Sequence, residues 1–278
     1  MTTLTTSDIL LENATRYADM PALSSKDKSG NWNTTTWAEF SGETMDVAKS
    51  LTALGFQKGD KLSIYSFNRK EWYIAYAAAN FCNGAGVGVY HTCSPEEVEW
   101  VVGNSDSKFV FVGHNPMDGG DTEKMCSHRL HKIMDKLDKV ENVIVMDGVD
   151  MPAHDKVMSW SDFISKGKDV EDSKIHDSIK SIKPEDTATL IYTSGTTGNP
   201  KGVELTYDNF EYEIAKVLEI VDIRNGYSYV SWLPCAHVFG QLVDNHAWIR
   251  RSMHMHVVDN PLHAICLLYT SPSPRDRG

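Results

Sequence analysis

Ten consecutive residues hold the densest concentration of chemically useful groups in the chain: Thr193, Ser194, Gly195, Thr196, Thr197, Gly198, Asn199, Pro200, Lys201 and Gly202. Glycines let a backbone adopt positive φ and approach a ligand closely. Successive N–H groups in such a turn form a nest for anions. The Ser and Thr hydroxyls add donors that rotate to meet phosphate oxygens, and Lys201 adds a mobile positive charge. The chemistry this composition suits is holding a polyphosphate. A P-loop is disfavoured, because counting from Gly195 the second glycine is replaced by Pro200 and the Mg²⁺-binding hydroxyl by Gly202. A nucleophile elbow at Ser194 also fails, since no G-x-S-x-G string is present.

His237 is the second residue of interest. It follows a Pro-Cys-Ala turn and opens a predicted helix, where an imidazole beside free N–H groups can meet an anion. The alternative is a helix-start histidine with only a local hydrogen bond. His254 and His256 share one strand face without a third metal ligand at a telling spacing. His128 and His131 fall on a polar helical face. The cysteines read as core or surface thiols rather than nucleophiles.

These groups need a scaffold, and the pattern alternates helix and strand. Ser7 is placed to cap a first helix. Thr36 with Glu39, and Ser94 with Glu97, form capping boxes, the second with Pro95 at the first helical position. Gly55 closes the helix that Thr36 opens, and Asn68 is placed to cap the helix bearing Trp72 and Tyr76. Residues 61–66, 86–90, 109–112, 143–146 and 189–193 read as strands, several as continuous apolar runs. Such runs between helices predict an α/β fold, with layered and mainly parallel sheets covered by helices. Residues 166–186 read as a surface helix and linker. Thr206 is placed to cap a helix carrying Phe210 and Ile214.

Hydrophobic residues make up 41% of the 278-residue chain and charged residues 23%, which supports a packed core. The net charge of −11 argues against clamping nucleic acid or an anionic membrane through bulk charge, while leaving a local anion site open. The five cysteines lack a C-x-x-C pair, and the N-terminus lacks a signal-peptide pattern, so reduced thiols in the cytoplasm are expected. The apolar stretch from Trp72 to Tyr90 is broken by Asn and Gly and reads as a buried helix and strand rather than a membrane span.

The run Leu190 to Lys201 resembles the signature loop of the adenylate-forming (AMP-binding) superfamily, and within it the chain most resembles long-chain acyl-CoA synthetases of the bubblegum type. Residues 54–60 leading to Asn68–Trp72, residues 88–96, and residues 231–239 resemble further family stretches, although His91 and Cys93 depart from the usual small polar residues. The resemblance covers residues 7 to 262. It implies that a fatty acid's carboxylate attacks the α-phosphate of ATP, with coenzyme A then taking the acyl group. It implies that Thr193, Ser194, Gly195, Thr196, Thr197, Gly198 and Lys201 hold the ATP phosphates, that Mg²⁺ bridges phosphate oxygens, and that His237 stands beside the carboxylate and α-phosphate. The family's ribose-binding aspartate, Mg²⁺-linked glutamate and C-terminal lysine have no counterpart here. Residues 1–265 therefore read as an incomplete N-terminal part of the AMP-binding domain, inactive alone. Residues 266–278 look like an artefactual tail, and the strand near Val257 is expected to form an exposed edge. Peripheral contact with the cytosolic face of a membrane is expected only of the full-length protein. Adenylation of an aryl or amino acid, or a non-catalytic ATP-binding module, are the alternatives.

Overall fold

The computed structural model describes residues 4–27, 30–193, 198–258, 260 and 264. The chain begins with α1 (Thr6–Arg16), the hairpin strands β1 (Pro21–Lys26) and β2 (Trp32–Thr36), and α2 (Trp37–Ala53). There follow β3 (Lys61–Tyr65), α3 (Lys70–Phe81), β4 (Ala85–Val89), α4 (Pro95–Asn104), β5 (Ser107–Val112), α5 (Cys126–His131), β6 (Asn142–Val145) and β7 (Val157–Ser159). Next come α6 (Trp160–Ser165), α7 (Asp172–Lys180), β8 (Thr187–Thr193), β9 (Lys201–Thr206), α8 (Tyr207–Ile220) and β10 (Ser228–Ser231). A helical run of α9 (Val238–Gln241), a π-helical turn (Leu242–Ala247) and α10 (Trp248–Arg250) leads to β11 (His254–Val257).

Two sheets result. The seven-stranded one runs β7-β6-β5-β3-β4-β8-β9 and is parallel except for the β8–β9 pair. The four-stranded one runs β10-β11-β1-β2, with only β1–β2 antiparallel. The continuous apolar runs behave as expected of strands covered on both faces. Along β5, Phe109 and Phe111 join the core formed with α2 and α3, while Val110 and Val112 join the core under α4 and α5. Each fully buried side chain of this kind contributes about 2 kcal/mol of apolar burial. Trp248 ties the four-stranded sheet to α2: it packs against Trp37 and Phe40, and its Nε1–H donates to the carbonyls of Ala22 and Met253.

The capping boxes at Thr36 and Ser94 form as read, and Thr206 caps α8 as read, in a box with Asn209. Several other expectations are corrected. Thr5, not Ser7, caps α1, because Thr5 and Asp8 form their own capping box and Ser7 lies inside the helix. Asn68 caps nothing; Arg69 holds that position without a side-chain bond, and the Asn68 amide reaches the chain near Cys235 instead. Residues 201–206 form a strand that hydropathy conceals, since this polar, largely exposed segment is extended only because it pairs with β8. The segment 166–186 does carry a helix, but Ile175 and Ile179 bury its inner face. β11 is no edge, because β10 and β1 flank it. His254 donates to or accepts from Ser24, and His256 meets Trp32 edge-on. The predicted tail 266–278 lies outside the described residues. Among the described residues no helix is long and apolar enough to cross a membrane.

Candidate active site

β4 and β8 lie side by side and parallel, so their carboxyl ends open on the same edge of the sheet. Ligands of parallel sheets characteristically bind beyond such ends. Here a cleft of about 490 Å³ is lined by Gly88 and Tyr90 after β4, Tyr192 and Thr193 at the end of β8, Pro200 before β9, and His237. Thr193 is directly opposite Lys201 as the last pair of the β8–β9 ladder. Lys201 is exposed and has no ion-pair partner among the described residues. Gly198 adopts φ +89°. Ser194, Gly195, Thr196 and Thr197 lie outside the described residues.

His237 is the N-cap of α9. Its Nδ1 accepts the backbone N–H of Phe239 at 3.2 Å, and its backbone N–H donates to the Pro234 carbonyl at 2.9 Å. Because Nδ1 accepts, the neutral ring bears its proton on Nε2, which is left to serve as a donor. His237 thus makes the local bond and also lines the cleft with Thr193. Gly88 makes this arrangement possible. A Cβ there would lie 2.6 Å from the Ala236 Cα, so only glycine admits the turn before His237 so close to β4.

A buried polar network underlies that turn. Asn68 accepts the Cys235 N–H at 2.9 Å and donates to the Leu233 carbonyl at 2.7 Å and to Ser231 Oγ at 3.2 Å. Ser231 in turn contacts the Tyr73 hydroxyl at 2.8 Å and donates to Asp244 at 2.5 Å. Burial pushes the Asp244 carboxyl up to about 7, with the Ser231 bond opposing the shift. Burial likewise raises the Cys235 thiol and the Tyr73 phenol, so neither serves as a ready nucleophile or base. Asp244 sits in the π-helical turn, a widening often found at functional positions.

A second cleft of about 550 Å³ lies between α8 and α9, lined by Leu205, Phe210, Tyr212, Val238, Phe239 and Leu242 among others. Val238 lines both clefts, so they meet beside His237. The sequence reading missed Asn68's role, Val238 and Phe239. All three lay in stretches already singled out, but Asn68's local signal pointed to a cap and nothing local marked Val238 or Phe239 as cleft walls.

Layered parallel sheets with a cleft at their carboxyl ends, flanked by a Gly/Thr/Lys connection, define an α/β protein of the ligand-binding type. Its family is specific: the chain belongs to the AMP-binding enzymes, whose profile matches residues 10–269. It is 30% identical over 245 residues to the long-chain-fatty-acid–CoA ligase ACSBG2 of Xenopus laevis, covering 87% of this chain and 32% of that protein. The ACSBG2 of Gallus gallus is 32% identical over 244 residues, with coverage of 86% and 31%. The chain thus spans less than two thirds of the length of these relatives. Among solved structures, the fold is similar to acetoacetyl-CoA synthetase from Streptomyces lividans (TM-score 0.75, 19% identity, 91% of this chain and 38% of that one). It is also similar to a fatty acyl CoA synthetase from Mycobacterium tuberculosis (TM-score 0.69, 18% identity, 92% and 45%).

Proposed function

We propose that the protein bearing this chain activates a long-chain fatty acid with ATP, forming an acyl-adenylate that coenzyme A then captures. One observation carries the reading: Thr193 and Pro200, at the two ends of the β8–β9 connection, share a cleft with His237. On this reading Thr193, Ser194, Gly195, Thr196, Thr197, Gly198 and Lys201 hold the ATP phosphates. Phosphoryl chemistry needs positioning and charge neutralisation more than a covalent nucleophile. Lys201 supplies positive charge toward the departing pyrophosphate. His237 donates its Nε2–H to the oxygens that gather charge as carboxylate and α-phosphate meet.

The apolar side of the adjoining cleft supports a long acid rather than an aryl or amino acid. Phe210, Val238, Phe239 and Leu242 form that side, while Asp208, Asn209 and Glu213 also line the cleft, which meets the first one beside His237. Among the described residues no three His, Cys, Asp or Glu side chains are grouped to hold a metal. On this reading Mg²⁺ would be held by the ATP phosphates and would supply charge neutralisation there. Residues 1–265 form an N-terminal part of the AMP-binding domain. The protein works in the cytoplasm on small-molecule substrates and not on nucleic acid, with peripheral membrane contact in its full-length form.

The test is exchange of labelled pyrophosphate into ATP by the full-length protein across a panel of acids. Exchange that depends on a long-chain fatty acid is expected, with none from the 278 residues alone. Exchange driven by an aryl or amino acid, or none with any acid, would refute the reading.

A further inference from the structure

We propose that Trp100 and Asn104 are positioning residues that set the two ends of the β8–β9 connection. The proposal rests on the reading that this connection holds phosphate. Trp100 donates its indole Nε1–H to the Pro200 carbonyl at 2.8 Å, and Tyr192 donates its hydroxyl to Asn104 Oδ1 at 2.7 Å. Pro200 immediately precedes β9, and Tyr192 is the penultimate residue of β8. Trp100 and Asn104 stand one turn apart on α4 and therefore on the same face. A single helix edge thus ties the chain down where it leaves one strand and again where it enters the next.

The helix is itself well anchored. It opens with the Ser94–Glu97 capping box, and Val98, Val101 and Val102 bury its inner side against the sheet. Trp100 is 38% exposed, so packing alone gives a weak reason for a large indole at this position. The Tyr192 phenol reaches Asn104 past Gly202, where a Cβ would lie 3.0 Å from its ring and 3.1 Å from its hydroxyl. Tyr192 pairs with Gly202 across the ladder, and the next pair is Thr193 with Lys201. Thr193 and Lys201 are therefore one residue away from the two ties. Tyr192, Pro200 and Val101 line the cleft, so the ties also form part of its wall.

Each tie is a single hydrogen bond, worth about a fivefold change in an equilibrium when lost. The experiment is steady-state kinetics on the full-length protein with Trp100→Phe, Asn104→Ala, Asn104→Asp and, as reference, Lys201→Ala. We expect KM for ATP to rise about fivefold in Trp100→Phe and Asn104→Ala, with KM for the acid unchanged. Asn104→Asp retains an acceptor for Tyr192 and restores the native value, which a general loss of folding would not do. Native KM for ATP in both α4 variants beside a raised one in Lys201→Ala overturns the brace and leaves the phosphate reading standing. A native KM together with undiminished pyrophosphate exchange in Lys201→Ala removes the phosphate reading, and the brace with it.

Discussion

Asn68 Oδ1 accepts the backbone N–H of Cys235 at 2.9 Å, joining positions 167 residues apart in sequence. The same amide donates to Leu233, so one buried side chain satisfies both a donor and an acceptor of the turn that presents His237. Asn68→Ala leaves those backbone groups without their partner and costs about 2–4 kcal/mol, read as a lower urea midpoint. Asn68→Asp keeps the acceptor and loses the donor, and is expected to fall between. A native midpoint for Asn68→Ala would show that the turn is held by other means.

Asp244 makes stability depend on pH. Its carboxyl titrates near 7 when folded and near its ordinary acidic value when unfolded. The folded state therefore binds the proton more tightly. The stabilisation is complete below about pH 4 and is lost as pH rises through 7, up to roughly 4 kcal/mol. Buried His246, held neutral down to about 3, tilts the curve the opposite way over the same range. The measurement is therefore the difference between native protein and Asp244→Asn in urea midpoint from pH 4 to 8. The variant is expected to gain relative stability with rising pH, and a pH-independent difference would contradict the assignment.

Gly88→Ala places a Cβ 2.6 Å from the Ala236 backbone. Backbone cannot move aside as a flexible side chain would, so β4 and the His237 turn must separate. Overpacking of this kind costs about 1–3 kcal/mol. The expected result is a lower thermal midpoint together with a raised KM for ATP in the full-length protein.

Lys201→Ala removes a charge aimed at the proposed phosphates. Fixed groups of this type contribute about 3 kcal/mol to the transition state, so acid-dependent pyrophosphate exchange should fall about a hundredfold. Stability should scarcely change, because the side chain is exposed at a strand end. Undiminished exchange would exclude Lys201 from the reaction.

Local chemistry was readable from the residues alone. The capping boxes at Thr36, Ser94 and Thr206 need only neighbours within one turn, and they form wherever the helix forms. The apolar runs Phe109–Val112 and Val143–Met146 announced a sheet covered on both faces, because alternate residues of a strand point to opposite sides and every residue of these runs is apolar. The Gly/Thr/Lys composition of residues 193–202 pointed to an anion for the same local reason. Tertiary pairing decided the rest. Residues 201–206 become a strand only against β8, and β11 is interior only because β10 and β1 close on both its sides. Asn68 looked like a cap until a distant turn supplied it with better partners, and nothing in the spacing of Trp100 and Pro200 foretold that their polar atoms would meet. A hydrogen bond between residues far apart in sequence depends on the register and stacking of whole elements, which are set by the burial of the core and leave no local mark on the residues that make the bond.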